Sequence, residues 1–185
     1  MLTESKVWQN FLSGDNDAYS VIYNTYIGEL YTYAMCFTKD RTLAEDAIHD
    51  VFVKIYQDRD KLHHVKSIRQ YLYSSVRNRI LNLLRKAEMS ENFSGLEGLD
   101  FAGDFSVERQ FEDKEKSALE KAYVKRMFSV LSSRQKELVY YRFVKGLSYE
   151  EIGNIMGLTY QSLQNLLQRA FSRLRKTFSQ RNSNL

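Results

Sequence analysis

The chain has 185 residues, 43% of them apolar and 27% charged, and its formal net charge is +4. That length fits one domain or two small ones, and the 13 tyrosines and 11 phenylalanines argue against a disordered chain. The lack of proline favours long helices over a turn-rich β sandwich, and the single cysteine, Cys36, excludes an internal disulfide and is interpreted as a packing residue.

Apolar residues recur at helical spacing through the first 87 positions and predict four helices. The third of these carries a capping-box pattern, Thr42 with Glu45. The expected helices are a short one ending near Gly14, a long one over 15–39, one starting after Asp40 or Thr42, and one over 67–87.

The pattern changes after residue 87. The stretch 90–108 contains three of the eight glycines, several acidic residues and no clear period, which is typical of a linker. Helices are expected to resume near Glu112, and Ser132 with Gln135 predicts the cap of a further helix that ends at Gly146.

The segment 147–170 has the pattern of a helix-turn-helix. Ser148 and Glu151 form a capping box, Gly157 stands where a helix would stop, and Thr159 is placed to cap a second helix. The second helix of such a unit enters a DNA major groove, although an ordinary helical hairpin is the alternative.

Charge is distributed in blocks along the chain. Residues 61–87 hold seven basic and no acidic residues, 88–116 hold nine acidic and three basic residues, and 117–185 hold twelve basic and four acidic residues. Two basic blocks separated by an acidic one suggest two separate contacts with a polyanion.

No catalytic constellation is present in the sequence. His49, His63 and His64 show no spacing that pairs with Cys36 or with carboxylates as a metal site, and phosphate loops and nucleophile elbows are absent. We therefore expect no enzyme activity, no cofactor and no metal. The chain also lacks an apolar run that could span a bilayer and a signal-peptide core, so a cytoplasmic location is expected.

Two of the predicted helices have unusual polar faces. In the fourth helix, aromatic rings alternate with cations, a combination that suits unpaired bases, which can stack on a ring. The alternative is that Tyr71 and Tyr73 belong to the core and the arginines are solvated. The third helix places Asp46 and Asp50 beside apolar groups that we expect to be exposed, which indicates a protein-docking face.

The order of these motifs resembles a bacterial sigma-70-type factor of the extracytoplasmic-function (ECF) group, and the pattern looks most like its Bacteroidetes branch. The resemblance is strongest in AEDAIHDVFVKIY (44–56), in YLYSSVRNRILNLLRK (71–86) and over 131–176. It implies an all-α fold with a sigma-2-like domain at 1–88, a flexible acidic linker at 89–112 and a sigma-4-like helix-turn-helix domain at 113–185.

The resemblance also implies partners, namely core RNA polymerase, promoter DNA and an anti-sigma factor, which in this group is often membrane-anchored. The residues matching the polymerase-docking helix are Asp46, His49, Asp50, Val51 and Phe52. Those matching the block that opens and holds the −10 element are Arg69, Tyr71, Tyr73, Arg77, Asn78, Arg79, Arg85 and Lys86. Those matching the −35 reader are Thr159, Tyr160, Gln161, Gln164, Asn165, Gln168, Arg169 and Arg173.

Gln164 and Leu166 stand where the family often has basic residues, so the −35 preference is expected to differ from that of typical members. Two other classes remain open. An autonomous helix-turn-helix regulator gives no reason for a second basic block, and a nucleic-acid enzyme would need the nucleophile or acidic metal cluster that the chain lacks.

Overall fold

Every regular element among the described residues is helical, which confirms the predicted all-α class. The structure is a computed structural model that describes residues 3–63, 65, 67–89, 101 and 114–179. The chain divides into two compact units, largely 1–98 and 99–185. Nearly all of the predicted linker, 89–112, lies outside the described residues, so its boundaries stay a prediction.

The first unit contains the four predicted helices. They are α1 (Glu4–Leu12), α2 (Asn16–Ala34), α3 (Arg41–Gln57) and α4 (Ile68–Met89), with a 3₁₀ turn at Arg59–Lys61 before α4. Helix α4 packs against both α2 and α3, while α1 packs against α2. Because α4 packs against two helices, its contacts with α2 and α3 determine which of its residues face outward.

One helix end and one helix cap in this unit differ from the sequence expectation, while α3 begins directly after Asp40 as expected. Helix α2 ends at Ala34 rather than near residue 39, because the backbone N–H groups of Cys36 and Phe37 bond three residues back in a tight turn. The Thr42–Glu45 capping box is wrong, because Asp40 Oδ1 already accepts the N–H of Thr42 at 2.9 Å and caps α3.

Side chains from all four helices fill the core of the first unit. Burial of each large apolar group contributes on the order of 1.5–3 kcal/mol relative to leaving it exposed. The core includes Phe11, Leu30, Tyr33, Ile48, Phe52, Ile55, Leu72, Tyr73 and Ile80, each at most 2% exposed.

The second unit consists of α5 (Lys114–Ser129), α6 (Ser133–Val139), a π-helical turn (Tyr140–Val144), α7 (Tyr149–Met156) and α8 (Tyr160–Ser179). The predicted Ser132–Gln135 capping box is present and opens α6. Its core includes Leu138, Tyr141, Leu147, Ile152, Leu163 and Ala170, each at most 1% exposed.

The predicted helix-turn-helix is confirmed in its local geometry. The capping box of Ser148 and Glu151 opens α7, and Gly157 ends it with φ +65°, in the left-handed region that favours glycine. Thr159 Oγ1 accepts the N–H of Ser162 at 3.2 Å, as a cap of α8 should. The turn is tight, since a Cβ added at Gly153 would lie 2.8 Å from the backbone oxygen of Leu158.

Within the ranges described, none of the helices combines the length and apolarity needed to cross a membrane.

A pair of glycine substitutions tests the closeness of this turn. Gly153→Ala should lower the free energy of unfolding by about 1–3 kcal/mol, because the added methyl meets backbone and the turn must shift. Gly28→Ala is the control: apart from the backbone of its own helix and its chain neighbours, no atom lies within 4 Å of its added Cβ, so removing a helical glycine should raise stability by about 0.5–1 kcal/mol. Urea denaturation followed by circular dichroism measures both. A stabilising Gly153→Ala would contradict the close approach.

Candidate protein-docking and nucleic-acid surfaces

Helix α3 presents an acidic face, which we define as Asp46, His49, Asp50 and Val53. Asp46 and His49 are exposed, Asp50 is partly exposed, and Val53 is 37% exposed. Sequence reasoning missed Val53, although its spacing of three and seven residues from Asp50 and Asp46 places it on the same side of a helix. The face can bind a basic surface through its carboxylates and offers one small apolar contact.

Val51 and Phe52, which the resemblance matches to the polymerase-docking helix, are both buried. Phe52 is 2% exposed because two tyrosines of α2 cover it, with ring centroids at 6.3 Å for Tyr19 and 4.8 Å for Tyr23. The Tyr19 hydroxyl also donates to the Phe52 carbonyl oxygen at 3.1 Å. Val51 is 6% exposed, so both side chains lie beneath the acidic face in the core.

Tyr73, expected among the strand-binding residues, is also a core residue. It is 0% exposed, its ring centroid lies 4.7 Å from that of Tyr33, and its hydroxyl donates to Glu29 Oε1 at 2.7 Å. A base cannot stack on a ring that is fully covered. For Tyr73 the alternative of a core role is therefore correct, and its placement as a DNA contact is wrong.

Arg69 donates to the same carboxylate oxygen of Glu29 as Tyr73 does. Its Nη2 donates to Glu29 Oε1 at 2.9 Å, so one carboxylate oxygen receives both Arg69 and Tyr73. Burial by itself lowers the pKa of Arg69, but the hydrogen bond and the charge of Glu29, together with the neighbouring Tyr73, raise this pKa above its usual value. Arg69 is thus committed to an ion pair between α4 and α2.

Arg79 is likewise turned toward a neighbouring helix. Its Nε donates to Asp50 Oδ2 at 2.7 Å, and its Nη2 donates to the same oxygen. This ion pair joins α4 to the acidic face of α3. Sequence reasoning placed Asp50 and Arg79 on two separate surfaces, and the fold brings them into contact.

The outward side of α4 carries what we call the α4 stripe, defined as Tyr71, Ser75, Asn78, Asn82 and Arg85. Successive members are three or four residues apart and so align along one face of the helix. Asn78, Asn82, Arg85 and the neighbouring Lys86 are exposed. Ser75 and Asn82 were not among the predicted site residues. Arg77 is partly exposed and lies about 120° around the helix from Tyr71.

Tyr71 is half-buried at one end of this stripe. Its ring centroid lies 6.5 Å from that of Trp8, which α1 supplies. Burial raises the pKa of the Tyr71 phenol above its usual value, so the group is neutral at physiological pH. The ring retains an accessible part on which an unpaired base could stack.

The eight residues predicted on the helix-turn-helix are all exposed: Thr159, Tyr160, Gln161, Gln164, Asn165, Gln168, Arg169 and Arg173. Several already bond within the chain. Gln164 Nε2 donates to the Tyr160 hydroxyl at 2.8 Å, and Gln161 Nε2 donates to Asn165 Oδ1 at 3.2 Å. Leu166 is partly buried, so it belongs to the inward edge of α8.

Helix α8 is strongly basic. Residues 160–179 contain four cations and no carboxylate, and all four cations are exposed: Arg169, Arg173, Arg175 and Lys176. Arg173 Nη1 also donates to Gln135 Oε1 at 3.4 Å, which ties it to the cap of α6. Such a helix suits the phosphates that flank a major groove. Within the described residues, no group of three side chains could hold a metal ion.

Comparison with protein families identifies both units. The model described as Sigma-70 region 2 matches residues 22–89, which cover most of α2 through α4. The model described as Sigma-70, region 4 matches residues 121–174, which run from α5 into α8. Together the two matches cover about two thirds of the chain, in the order expected from the sequence.

Individual relatives agree with these matches. The chain is 25% identical over 162 residues to the ECF RNA polymerase sigma factor SigM of Bacillus subtilis, covering 85% of this chain and 93% of that one. It is 22% identical over 160 residues to SigL of Mycobacterium tuberculosis, covering 86% and 88%. The Bacteroidetes likeness stays a prediction.

Among solved structures, the fold is similar to CnrH in a complex with the cytosolic domain of CnrY. The TM-score is 0.62 at 18% identity, covering 94% of this chain and 95% of that chain. It is also similar to the sigma factor RpoE of Bartonella quintana, solved with the anti-sigma factor NepR, with a TM-score of 0.56 at 19% identity, covering 83% and 92%. At these identities the likeness establishes a shared fold.

The Glu29 network yields a stability prediction. Glu29→Ala removes the common acceptor of Arg69 and Tyr73, so it should lower the free energy of unfolding by about 2–3 kcal/mol. Fluorescence of Trp8, the only tryptophan in the chain, measures this in a urea titration. Glu45→Ala, an exposed change on α3, should cost at most about 0.5 kcal/mol. Equal losses in the two variants would contradict a structural role for Arg69 and Tyr73.

Proposed function

This chain belongs to the sigma-70 family, in its extracytoplasmic-function group. From that premise we propose which of its surfaces bind RNA polymerase and which bind promoter DNA. It is a sigma factor that binds core RNA polymerase and directs promoter-specific transcription initiation. The observation that carries this function is the match of region 2 to residues 22–89 and of region 4 to residues 121–174, in that order along one chain. The mechanism is binding without turnover, and we place it in the cytoplasm with the polymerase.

Core polymerase docks on the acidic face of α3. Asp46 and Asp50 supply negative charge, His49 a polar ring and Val53 a small apolar contact, all on one side of the helix. A basic surface on the polymerase would complement this face in charge, which speeds encounter and fixes the register of the complex. The buried Phe52 supports the proposal indirectly, since it holds the backbone of α3 in place.

The −10 element binds the α4 stripe as an unpaired strand. Unstacking a base costs a few kcal/mol. Stacking on Tyr71, which stands where the family usually has tryptophan, can return about 1–3 kcal/mol per base. Asn78 and Asn82 offer amide donors and acceptors to base edges, while Arg85 and Lys86 can pair with phosphates. The combination favours the open promoter.

The −35 element binds α8 in its major groove. Gln164 can read adenine through a bidentate pair, provided that its amide gives up the hydrogen bond to Tyr160. Arg169 and Arg173 lie further along the helix and suit the phosphate backbone. We also propose an anti-sigma factor as a regulatory partner, on the basis of membership in this group.

Transcription in vitro tests the function directly. Core RNA polymerase purified from the source bacterium should initiate at defined positions on a pool of genomic fragments only when this chain is added. An autonomous helix-turn-helix regulator would instead bind specific duplexes without polymerase and leave initiation by core enzyme unchanged. Failure to co-purify with core enzyme and to promote initiation would contradict the proposal.

Tyr71→Ala tests strand capture. It should reduce open-complex formation about tenfold or more through lost stacking, while holoenzyme binding to the closed duplex changes less than about twofold. Permanganate reactivity of unpaired thymines measures opening, and gel shift at low temperature measures duplex binding. Tyr71→Phe keeps the ring and should stay close to wild type. Equal losses in both assays would argue against capture by this ring.

A further inference from the structure

The ion pair between Asp50 and Arg79 connects the acidic face of α3 to the helix that carries the α4 stripe. Both donors of Arg79, Nε and Nη2, reach the same carboxylate oxygen, Oδ2. The side chains are 43% and 36% exposed, so the pair lies at the surface and not in the core. Exposed ion pairs of this kind contribute little to stability. A role in folding alone is therefore a weak explanation for the pair.

Helix geometry separates Arg79 from the strand-binding surface. At about 100° per residue, Arg79 lies about 80° around α4 from Tyr71, whereas Asn78 and Asn82 lie within about 20° of it. The Arg79 guanidinium meets Asp50 of α3. The side chain that sequence similarity assigns to the −10 element therefore lies beside the docking face.

The ion pair with Arg79 uses one carboxylate oxygen of Asp50 and leaves the other, Oδ1, available to a partner. Arg79 occupies Oδ2, and no other part of the chain that the structure describes donates a hydrogen bond to Oδ1. A carboxylate held through one oxygen presents the other in a fixed direction. A partner cation that meets Oδ1 then loses less side-chain freedom on binding than it would with a freely rotating aspartate.

We propose that Arg79 is a positioning residue for polymerase docking, which orients the Asp50 carboxylate toward a basic group of core polymerase, and that it makes no contact with the −10 strand. The inference rests on the proposed function, because it needs the acidic face to be the docking site. Arg79 also reduces the net negative charge of this face, which opposes docking at long range. At physiological ionic strength that effect is screened over about 8 Å, so orientation should dominate.

Arg79→Gln tests the inference on the full-length chain. It should weaken binding to core polymerase about 5- to 10-fold, measured by competition against a labelled wild-type chain, through lost orientation of Asp50. The resulting holoenzyme should bind a single-stranded −10 oligonucleotide within about twofold of wild type. Arg85→Gln, which removes an exposed cation of the α4 stripe, is the matched control: it should weaken strand binding and leave core affinity unchanged.

A double-mutant cycle shows whether Arg79 acts through Asp50. In an Asp50→Ala background, Arg79→Gln should change core affinity by less than about twofold. Arg79→Lys keeps the charge without the paired donors and should restore only part of the affinity, which separates orientation from charge. It also replaces Arg79→Gln if that variant unfolds, as a urea titration would reveal.

Three results would overturn the inference. Unchanged core affinity with weakened strand binding would make Arg79 a DNA contact. Raised core affinity in Arg79→Gln would mean that Arg79 masks Asp50, and an undiminished effect in the Asp50→Ala background would show that Asp50 is not the route. If the wild-type chain itself fails to bind core polymerase, the proposed function fails first and this inference with it.

Discussion

The contact of α4 with α2 and α3 determines most of what the first unit can do. One carboxylate oxygen of Glu29 on α2 accepts hydrogen bonds from Arg69 and Tyr73. Asp50 on α3 accepts hydrogen bonds from Arg79. The apolar core between the three helices, together with the hydrogen bonds of Arg69 and Tyr73 to Glu29, sets the rotation of α4 about its axis. That rotation decides which side chains a partner can reach.

The cations of α4 are consequently not equivalent, although the sequence presents them as one basic block. Arg69 is paired with Glu29 of α2 and Arg79 with Asp50 of α3, whereas Arg85 and Lys86 remain exposed. The surface left for a DNA strand consists of a half-buried ring, two amides and a few cations at one end. Such a surface suits unpaired bases better than it suits duplex phosphates, since phosphate binding depends on charge. This division is consistent with strand capture as the task of the first unit.

The second unit follows a different principle. Its helix-turn-helix depends on backbone features, namely the cap at Ser148, the left-handed Gly157 and the close approach at Gly153, and so its geometry is set locally. Helix α8 then presents amides and cations outward with no carboxylate to repel DNA. Gln161 and Gln164 bond to neighbouring side chains in the free protein, so reading of DNA bases by these residues requires an exchange of hydrogen bonds.

The sequence by itself determined the helical class, the order of the elements, the capping boxes that open α6 and α7, and the family, because these depend on local patterns of a few residues. It could not show that Phe52 and Tyr73 are buried or that Arg79 pairs with Asp50. Helical periodicity shows which residues share a face, but not which neighbouring helix covers that face or which distant acid lies opposite. Tyr19, Tyr23, Glu29 and Asp50 are separated from these residues by 29 to 44 positions, and only the folded bundle brings them together.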